Sequence, residues 1–139
     1  MSPVSIAFPV MPRSPIDLSS DEIEFLTTRH LATLSTLRPD GTSHVVAIAF
    51  AFDRHESIVR VITAARSQKA RNIERAGHAA VCQVDGPRWL TLEGPAIVTT
   101  DPERVAMAVA GFERRYRPAR DNPDRAAIEI MVERVLGRA

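Results

Sequence analysis

The sequence predicts a small, mostly β (α+β) domain, in which six antiparallel strands form a barrel with short flanking helices. Its apolar segments are short and are joined by turn sequences such as RPDGT (38–42) and DGPR (85–88), which is typical of hairpins. The segments also lack the regular alternation of strand and helix that a parallel sheet requires. These two observations favour an antiparallel barrel over a doubly wound sheet.

The elements follow from local signals, in chain order. Prolines interrupt the first residues, so 1–17 are expected to form a flexible arm and 18–139 the folded domain. Helices are predicted at 20–29 from the Ser19 and Glu22 capping box, at 67–77 and at 101–116. The six predicted strands are 30–37, 43–52, 57–63, 78–84, 89–100 and 125–137, and Gly94-Pro95 is expected to mark a bulge or a bend at an edge of the sheet.

Composition excludes several classes of function. A net charge of +1 in 139 residues gives no bulk attraction to nucleic acid or to anionic membranes. No apolar run is long enough to span a bilayer, and the first residues lack the features of a signal peptide. A single cysteine, Cys82, fits a reducing compartment, so we expect a cytoplasmic protein. The histidines show no metal-ligand spacing with Cys82, and no metal is predicted.

Lys69 is the only lysine of the chain, against seventeen arginines, and it follows Ser67 in the first turn of a predicted helix. A cation is locally unfavourable there, whereas a bound phosphate would be held by the free N–H groups, the Ser67 hydroxyl and the ammonium. Arg60, in the preceding strand, could reach the same phosphate, and Arg66 and Arg71 flank it. The alternative for each is an ordinary solvated side chain.

Two further residues are suited to a planar ligand. Trp89 is the only tryptophan and follows a turn, where its ring could stack on a flat cofactor or simply close one end of the barrel. His44 lies in a predicted strand and could donate to a ring carbonyl or be satisfied by backbone. The basic stretch 113–120 is either a solvated helix end or an anion-binding site. Arg115, Arg117 and Arg120 are the candidate anion-binding residues.

The stretches 30–53 and 60–98 carry a resemblance, above all in RVIT (60–63), SQKARN (67–72) and QVDGPRWLTLEG (83–94). They resemble the flavin/deazaflavin oxidoreductases of the FMN-binding split β-barrel superfamily, relatives of pyridoxamine 5′-phosphate oxidase. Within that group, the chain most resembles the coenzyme F420-dependent biliverdin reductases. The resemblance covers about residues 18–136.

The resemblance implies a homodimeric split barrel with cofactor sites at the subunit interface. Arg60, Ser67, Lys69 and Asn72 would hold the cofactor phosphate, and Pro87, Arg88 and Trp89 would approach from the other subunit. The complete set of expected cofactor-binding residues is His44, Val45, Val46, Arg60, Ile62, Thr63, Arg66, Ser67, Gln68, Lys69, Asn72, Pro87, Arg88 and Trp89. The long apolar strands 43–52 and 89–100 independently favour a dimer, because one small barrel cannot cover them.

The expected function is hydride transfer from reduced coenzyme F420 to a conjugated acceptor, with biliverdin as the tetrapyrrole substrate and bilirubin as the product. No catalytic residue or proton donor can be assigned from the residues themselves. Two alternatives stay open: an FMN-dependent oxidase or reductase of the same fold, and a non-catalytic flavin or haem carrier.

Overall fold

The computed structural model describes residues 12–139, so residues 1–11 of the expected arm lie outside the described part. Arg13, in the remainder of that segment, pairs with Val135: the two residues exchange backbone hydrogen bonds of 2.8 and 2.7 Å. The Arg13 guanidinium also donates two hydrogen bonds of 2.8 Å to the carboxylate of Glu22. The chain just before the first helix is therefore fastened to the last strand.

The described chain contains three α-helices and eight strands, all paired antiparallel. After a single 3-10 turn (Pro15–Asp17), the elements are α1 (Ser20–Thr27), β1 (Ala32–Leu37), β2 (Ser43–Ile48), β3 (Ala51–Asp53), β4 (Ile58–Ala64), α2 (Gln68–Ala76), β5 (His78–Asp85), β6 (Arg88–Thr99), α3 (Pro102–Arg115), β7 (Arg125–Met131) and β8 (Arg134–Arg138). The strand order is β2-β1-β5-β6-β7-β4-β3, with β8 also paired to β6. No pairing joins β2 to β3 in this part of the chain, so the sheet is open rather than closed.

The prediction of six strands is wrong because two long apolar segments each divide into two strands. Segment 43–52 pairs first with β1 and then, past Phe50, with β4. The Phe50 backbone is held at the break: its N–H donates to the Tyr116 hydroxyl (3.2 Å) and its carbonyl accepts from Arg115 (2.7 Å). Segment 125–137 divides after Met131 in the same way, where the Val132 N–H donates to the Ser57 carbonyl at 2.9 Å.

Strand β6 connects the two halves of the sheet. Its first part pairs with β5 and β8, and its last part, from Ala96, pairs with β7. The change of partner falls at Gly94-Pro95, within the sheet rather than at an edge. A Cβ on Gly94 would lie 1.9 Å from the Met131 carbonyl oxygen, so only glycine allows the two backbones to approach this closely.

The core lies inside the curve of the strands and takes side chains from both halves of the sheet. Leu34, Phe50, Leu92 and Ile128 are among its largest members and are at most 1% exposed. Burying such a side chain contributes about 1.5–3 kcal/mol. Helix α2 packs against β1 and β6, and α3 packs against β3, β4 and β7. No helix of residues 12–139 combines the length and the apolar character needed to cross a membrane.

Candidate cofactor site

Helix α2 begins and ends where the sequence predicts. Ser67 is its N-cap, and the Ser67 hydroxyl accepts a hydrogen bond of 3.3 Å from the Ala70 N–H. Gly77 ends the helix in the left-handed conformation, at φ 69°. The first turn contains no acidic residue, so the N–H groups at this end face no carboxylate of their own turn.

The end of β4 lies against this helix start. The Thr63 hydroxyl is 3.0 Å from the Ser67 hydroxyl, and Thr63 is only 8% exposed. Thr63 and Ser67 therefore form one corner between strand and helix, which we call the Ser67 corner.

A buried polar chain extends from this corner along α2 to the sheet. The Gln68 side chain donates a hydrogen bond of 2.7 Å to Asn72 Oδ1, and Asn72 Nδ2 donates one of 3.0 Å to the Thr36 hydroxyl. Asn72 is fully buried. Thr36 lies opposite His44 of the edge strand β2, and no hydrogen bond joins the two side chains in the described residues.

His44, opposite Thr36, has a buried polar atom without a hydrogen-bond partner in the described residues. Its Nδ1 is buried and has no hydrogen-bond partner among residues 12–139. A buried ring nitrogen without a partner is costly, so this atom is suited to a hydrogen bond with a bound ligand. Val46 follows two residues later and packs against the core, whereas Val45 faces away and is 55% exposed.

Lys69 lies in the first turn of α2, half-buried and without an acidic partner in the described residues. Burial lowers the pKa of its ammonium group, because the charged form loses solvation that no carboxylate replaces. An uncompensated cation beside free helix N–H groups fits an anionic ligand.

The structure does not bring Arg60 to the Ser67 corner. Its guanidinium donates a hydrogen bond of 2.8 Å to Asp53 and lies 4.0 Å from Glu129, on the sheet face that packs against α3. Arg60 and Thr63 are three residues apart in β4, so their side chains point to opposite faces. Ile62 shares the Arg60 face and borders a cavity beside the corner.

The remaining predicted cofactor-binding residues lie outside the Ser67 corner. Arg66 is exposed and pairs with Asp124 at 3.3 Å. Pro87 lies in the turn from β5 to β6, and Arg88 and Trp89 begin β6, where the Arg88 guanidinium covers the Phe25 ring at 4.5 Å. Within residues 12–139, no hydrogen bond joins this turn to the Ser67 corner.

Arg115 is a buried structural residue rather than part of an exposed anion-binding site. It is 9% exposed and donates to the Thr28 carbonyl (2.9 Å), the Phe50 carbonyl (2.7 Å) and the Gln83 side chain (2.7 Å). These bonds connect the ends of α1 and α3 to the β2–β3 break. Arg117 and Arg120 are exposed and lie apart from this network.

Sequence reasoning missed Thr36, which accepts the Asn72 amide. The signal is present in the chain: residues 32, 34 and 36 form the inward-facing row of β1, and the last of them is polar. A threonine in an otherwise apolar inward row requires a buried partner.

Comparison with known proteins places this geometry in a class. The profile of the pyridoxamine 5′-phosphate oxidase family matches residues 21–139, and the chain belongs to that family. It is 52% identical over 122 residues to an F420H(2)-dependent biliverdin reductase of Mycobacterium tuberculosis (strain CDC 1551 / Oshkosh), covering 88% of this chain and 89% of that protein.

Solved structures agree with this assignment. An F420 reductase superposes with a TM-score of 0.67 at 28% identity, covering 81% of this chain and 93% of that one. A conserved hypothetical protein of Mycobacterium tuberculosis superposes with a TM-score of 0.73 at 27% identity, covering 90% and 87%.

Proposed function

We propose that this chain is an oxidoreductase that uses reduced coenzyme F420 to reduce biliverdin to bilirubin. The observation that carries the proposal is the 52% identity to an F420H(2)-dependent biliverdin reductase across 88% of the chain. The half-buried Lys69 ammonium at the start of α2 supports it, because a cation beside free helix N–H groups favours an anionic ligand.

The residues of the Ser67 corner fit a phosphorylated cofactor. Ser67 offers a hydroxyl, the first turn of α2 offers N–H groups, and Lys69 offers a compact charge on a flexible stem. In our proposal these groups hold the cofactor phosphate, while Asn72 fixes the helix by its bonds to Thr36 and Gln68. Arg60 is engaged by Asp53 on the opposite face of β4, so the proposal gives it no part in holding the phosphate.

The ring of the cofactor is proposed to lie against β2 and the end of β4. His44 would present its unpartnered Nδ1 to a polar ring edge, and Val45 and Val46 of β2 and Ile62 and Thr63 of β4 would line the ring. When bound, reduced coenzyme F420 supplies a hydride, which reduces the central methine carbon of biliverdin as a pyrrole nitrogen takes up a proton. In the proposal, the chain holds the cofactor and orients it toward the substrate.

The proposed active form is a homodimer. The outward-facing side chains of β1 and β2 are mostly small or apolar, and Thr33, Leu37, Ser43, Val45 and Ala47 among them are exposed. Val45 and Val84 on this face are 55% and 54% exposed, and Trp89 is 37% exposed. Burying such a face against a second copy would bring Pro87, Arg88 and Trp89 toward the partner's cofactor.

The proposal is tested by titrating the apoprotein with coenzyme F420, FMN and haem while following the fluorescence of Trp89, the single tryptophan. Strong quenching by coenzyme F420, followed by turnover of biliverdin with the reduced cofactor, is the expected result. Quenching by FMN or haem alone would reject the proposal in favour of an FMN enzyme or a carrier.

A further inference from the structure

The indole of Trp89 fills the space that a side chain at position 137 would otherwise occupy. A Cβ on Gly137 would lie 2.8 Å from two indole carbons, Cδ2 and Cε3, and 2.4 Å from the Trp89 carbonyl oxygen. Gly137 also has a φ of 88°, in the left-handed region that glycine adopts without strain. The neighbouring strands β6 and β8 place Leu90 opposite Gly137. The ring therefore packs directly on the backbone of β8, as an aromatic side chain that covers a strand glycine.

The backbone of Gly137 is fastened to α1 through Arg13. The Arg13 guanidinium donates a hydrogen bond of 2.6 Å to the Gly137 carbonyl, and its side chain is only 12% exposed. The same guanidinium donates two hydrogen bonds to the Glu22 carboxylate, in the first turn of α1. That carboxylate also accepts a hydrogen bond of 3.1 Å from the Ala139 N–H. The chain that carries Gly137 is thus held to α1 by two separate contacts.

These contacts support a ring that is still partly open to solvent. Trp89 is 37% exposed at the start of β6, although one edge of its indole packs on Gly137. A flat aromatic side chain with an open surface is suited to stacking on a planar ligand. If packing already holds the ring in place, less conformational freedom is lost when the ligand binds.

Resting on the proposed function, in which Trp89 approaches the partner's cofactor, we propose that Arg13 and Gly137 are positioning residues for the indole. Gly137 provides the space that the ring fills, and Arg13 fixes the Gly137 backbone against α1. The ring is thereby held ready to stack on the cofactor before the cofactor binds. Both residues act through Trp89.

The first test uses the apoprotein, in which the fluorescence of the single tryptophan reports on Trp89 alone. Arg13→Gln and Gly137→Ala should each lower the anisotropy of the indole and increase its quenching by acrylamide. Arg134→Gln is the control, because Arg134 is an exposed arginine of β8 that pairs with Glu93 instead, and it should give wild-type values. Circular dichroism checks folding, and Arg13→Gln decides the test if Gly137→Ala does not fold. Wild-type anisotropy and quenching in Arg13→Gln would overturn the inference.

The second test measures binding of coenzyme F420 by calorimetry in a double-mutant cycle of Arg13→Gln and Trp89→Ala. Arg13→Gln should weaken binding by about two- to tenfold, because the Trp89 side chain would then be ordered only as the cofactor binds. In the Trp89→Ala background the same change should cause no further loss, since no indole is left to position. An equal loss in both backgrounds would overturn the inference.

Failure of the wild-type chain to bind coenzyme F420 would instead reject the proposed function, and with it the role in cofactor binding. The fluorescence of the apoprotein would still decide whether Arg13 and Gly137 hold the indole.

Discussion

The Thr63 and Ser67 hydroxyl groups lie 3.0 Å apart, which joins the last inward-facing residue of β4 to the cap of α2. This contact fixes the start of the helix against the sheet. It thereby sets the position of the free N–H groups of α2 and of Lys69. We propose that these groups bind the cofactor phosphate. The account of function depends on this corner.

Replacing Lys69 should have opposite effects on binding and on stability. Lys69→Ala should weaken coenzyme F420 binding by about 1.5–3 kcal/mol, the contribution of a charge-assisted hydrogen bond. Arg75→Ala, which removes an exposed cation from the last turn of the same helix, should leave the affinity unchanged. Titration of each variant measures the difference, and an unaltered affinity in Lys69→Ala would mean that Lys69 is a solvated surface residue.

The apoprotein of Lys69→Met should be more stable than wild type, by about 0.3–1 kcal/mol, because a cation opposes the helix dipole. Burial lowers the pKa of Lys69 from 10.5, so the folded protein releases this proton before the unfolded chain does. Lys69 therefore makes wild-type stability rise with pH in the alkaline window just below 10.5, and this dependence should disappear in Lys69→Met. Urea unfolding at pH 7 and pH 10 tests both points; a less stable variant would contradict them.

Asn72 should stabilise the fold through its two side-chain bonds. Asn72→Ala leaves the Thr36 hydroxyl buried without its donor and should cost about 1–3 kcal/mol. Arg71→Ala, an exposed neighbour on α2, should cost far less. Urea denaturation gives both values. Equal midpoints for the two variants would show that the buried polar chain does not stabilise α2.

The exposed outer face of the sheet around Val45 should control formation of the homodimer. Val45→Asp places a charge in the proposed dimer interface, where it would lose solvation without gaining a partner. Met107→Asp makes the same kind of change at a similarly exposed site on α3: the two native side chains are 55% and 48% exposed. Light scattering during gel filtration should show a monomer for Val45→Asp and a dimer for Met107→Asp. A monomeric wild type, or a dimeric Val45→Asp, would contradict the interface.

Glu22 should make stability depend on acid pH. Hydrogen bonds from Arg13, Ser19 and Ala139 lower the pKa of its carboxyl group from 4.5 to about 2. This corresponds to roughly 3 kcal/mol of stabilisation, present above pH 4.5 and lost as the pH falls toward 2. Glu22→Gln should lower stability at pH 7 and flatten the acid limb of the stability profile, whereas Glu24→Gln, an exposed neighbour, should keep it. A wild-type acid limb in Glu22→Gln would contradict the assignment.

Local signals predicted most of this fold. The Ser67 cap, the Gly77 helix end and the turns at 38–42 and 85–88 depend on nearby residues, and the structure confirms them. The strand breaks depend on distant ones. Phe50 is held by Arg115, 65 positions away, and nothing in 43–52 itself indicates that the chain changes partner there.

The candidate site likewise combines features that nearby residues determine with features that depend on distant residues. Ser67 and Thr63 meet because a strand end and the following helix start are close in the chain, which the sequence indicates. Arg60 was expected at the same corner, although its odd spacing from Thr63 already places it on the other face of β4. The role of Thr36 depends on a partner 36 residues away, which local patterns do not indicate.

The most direct test of the central claim is a crystal structure of the complex with coenzyme F420. The account predicts that the cofactor phosphate lies within hydrogen-bond distance of the Ser67 hydroxyl and the Lys69 ammonium, at the start of α2. A phosphate bound elsewhere, with Ser67 and Lys69 in contact only with solvent, would contradict it.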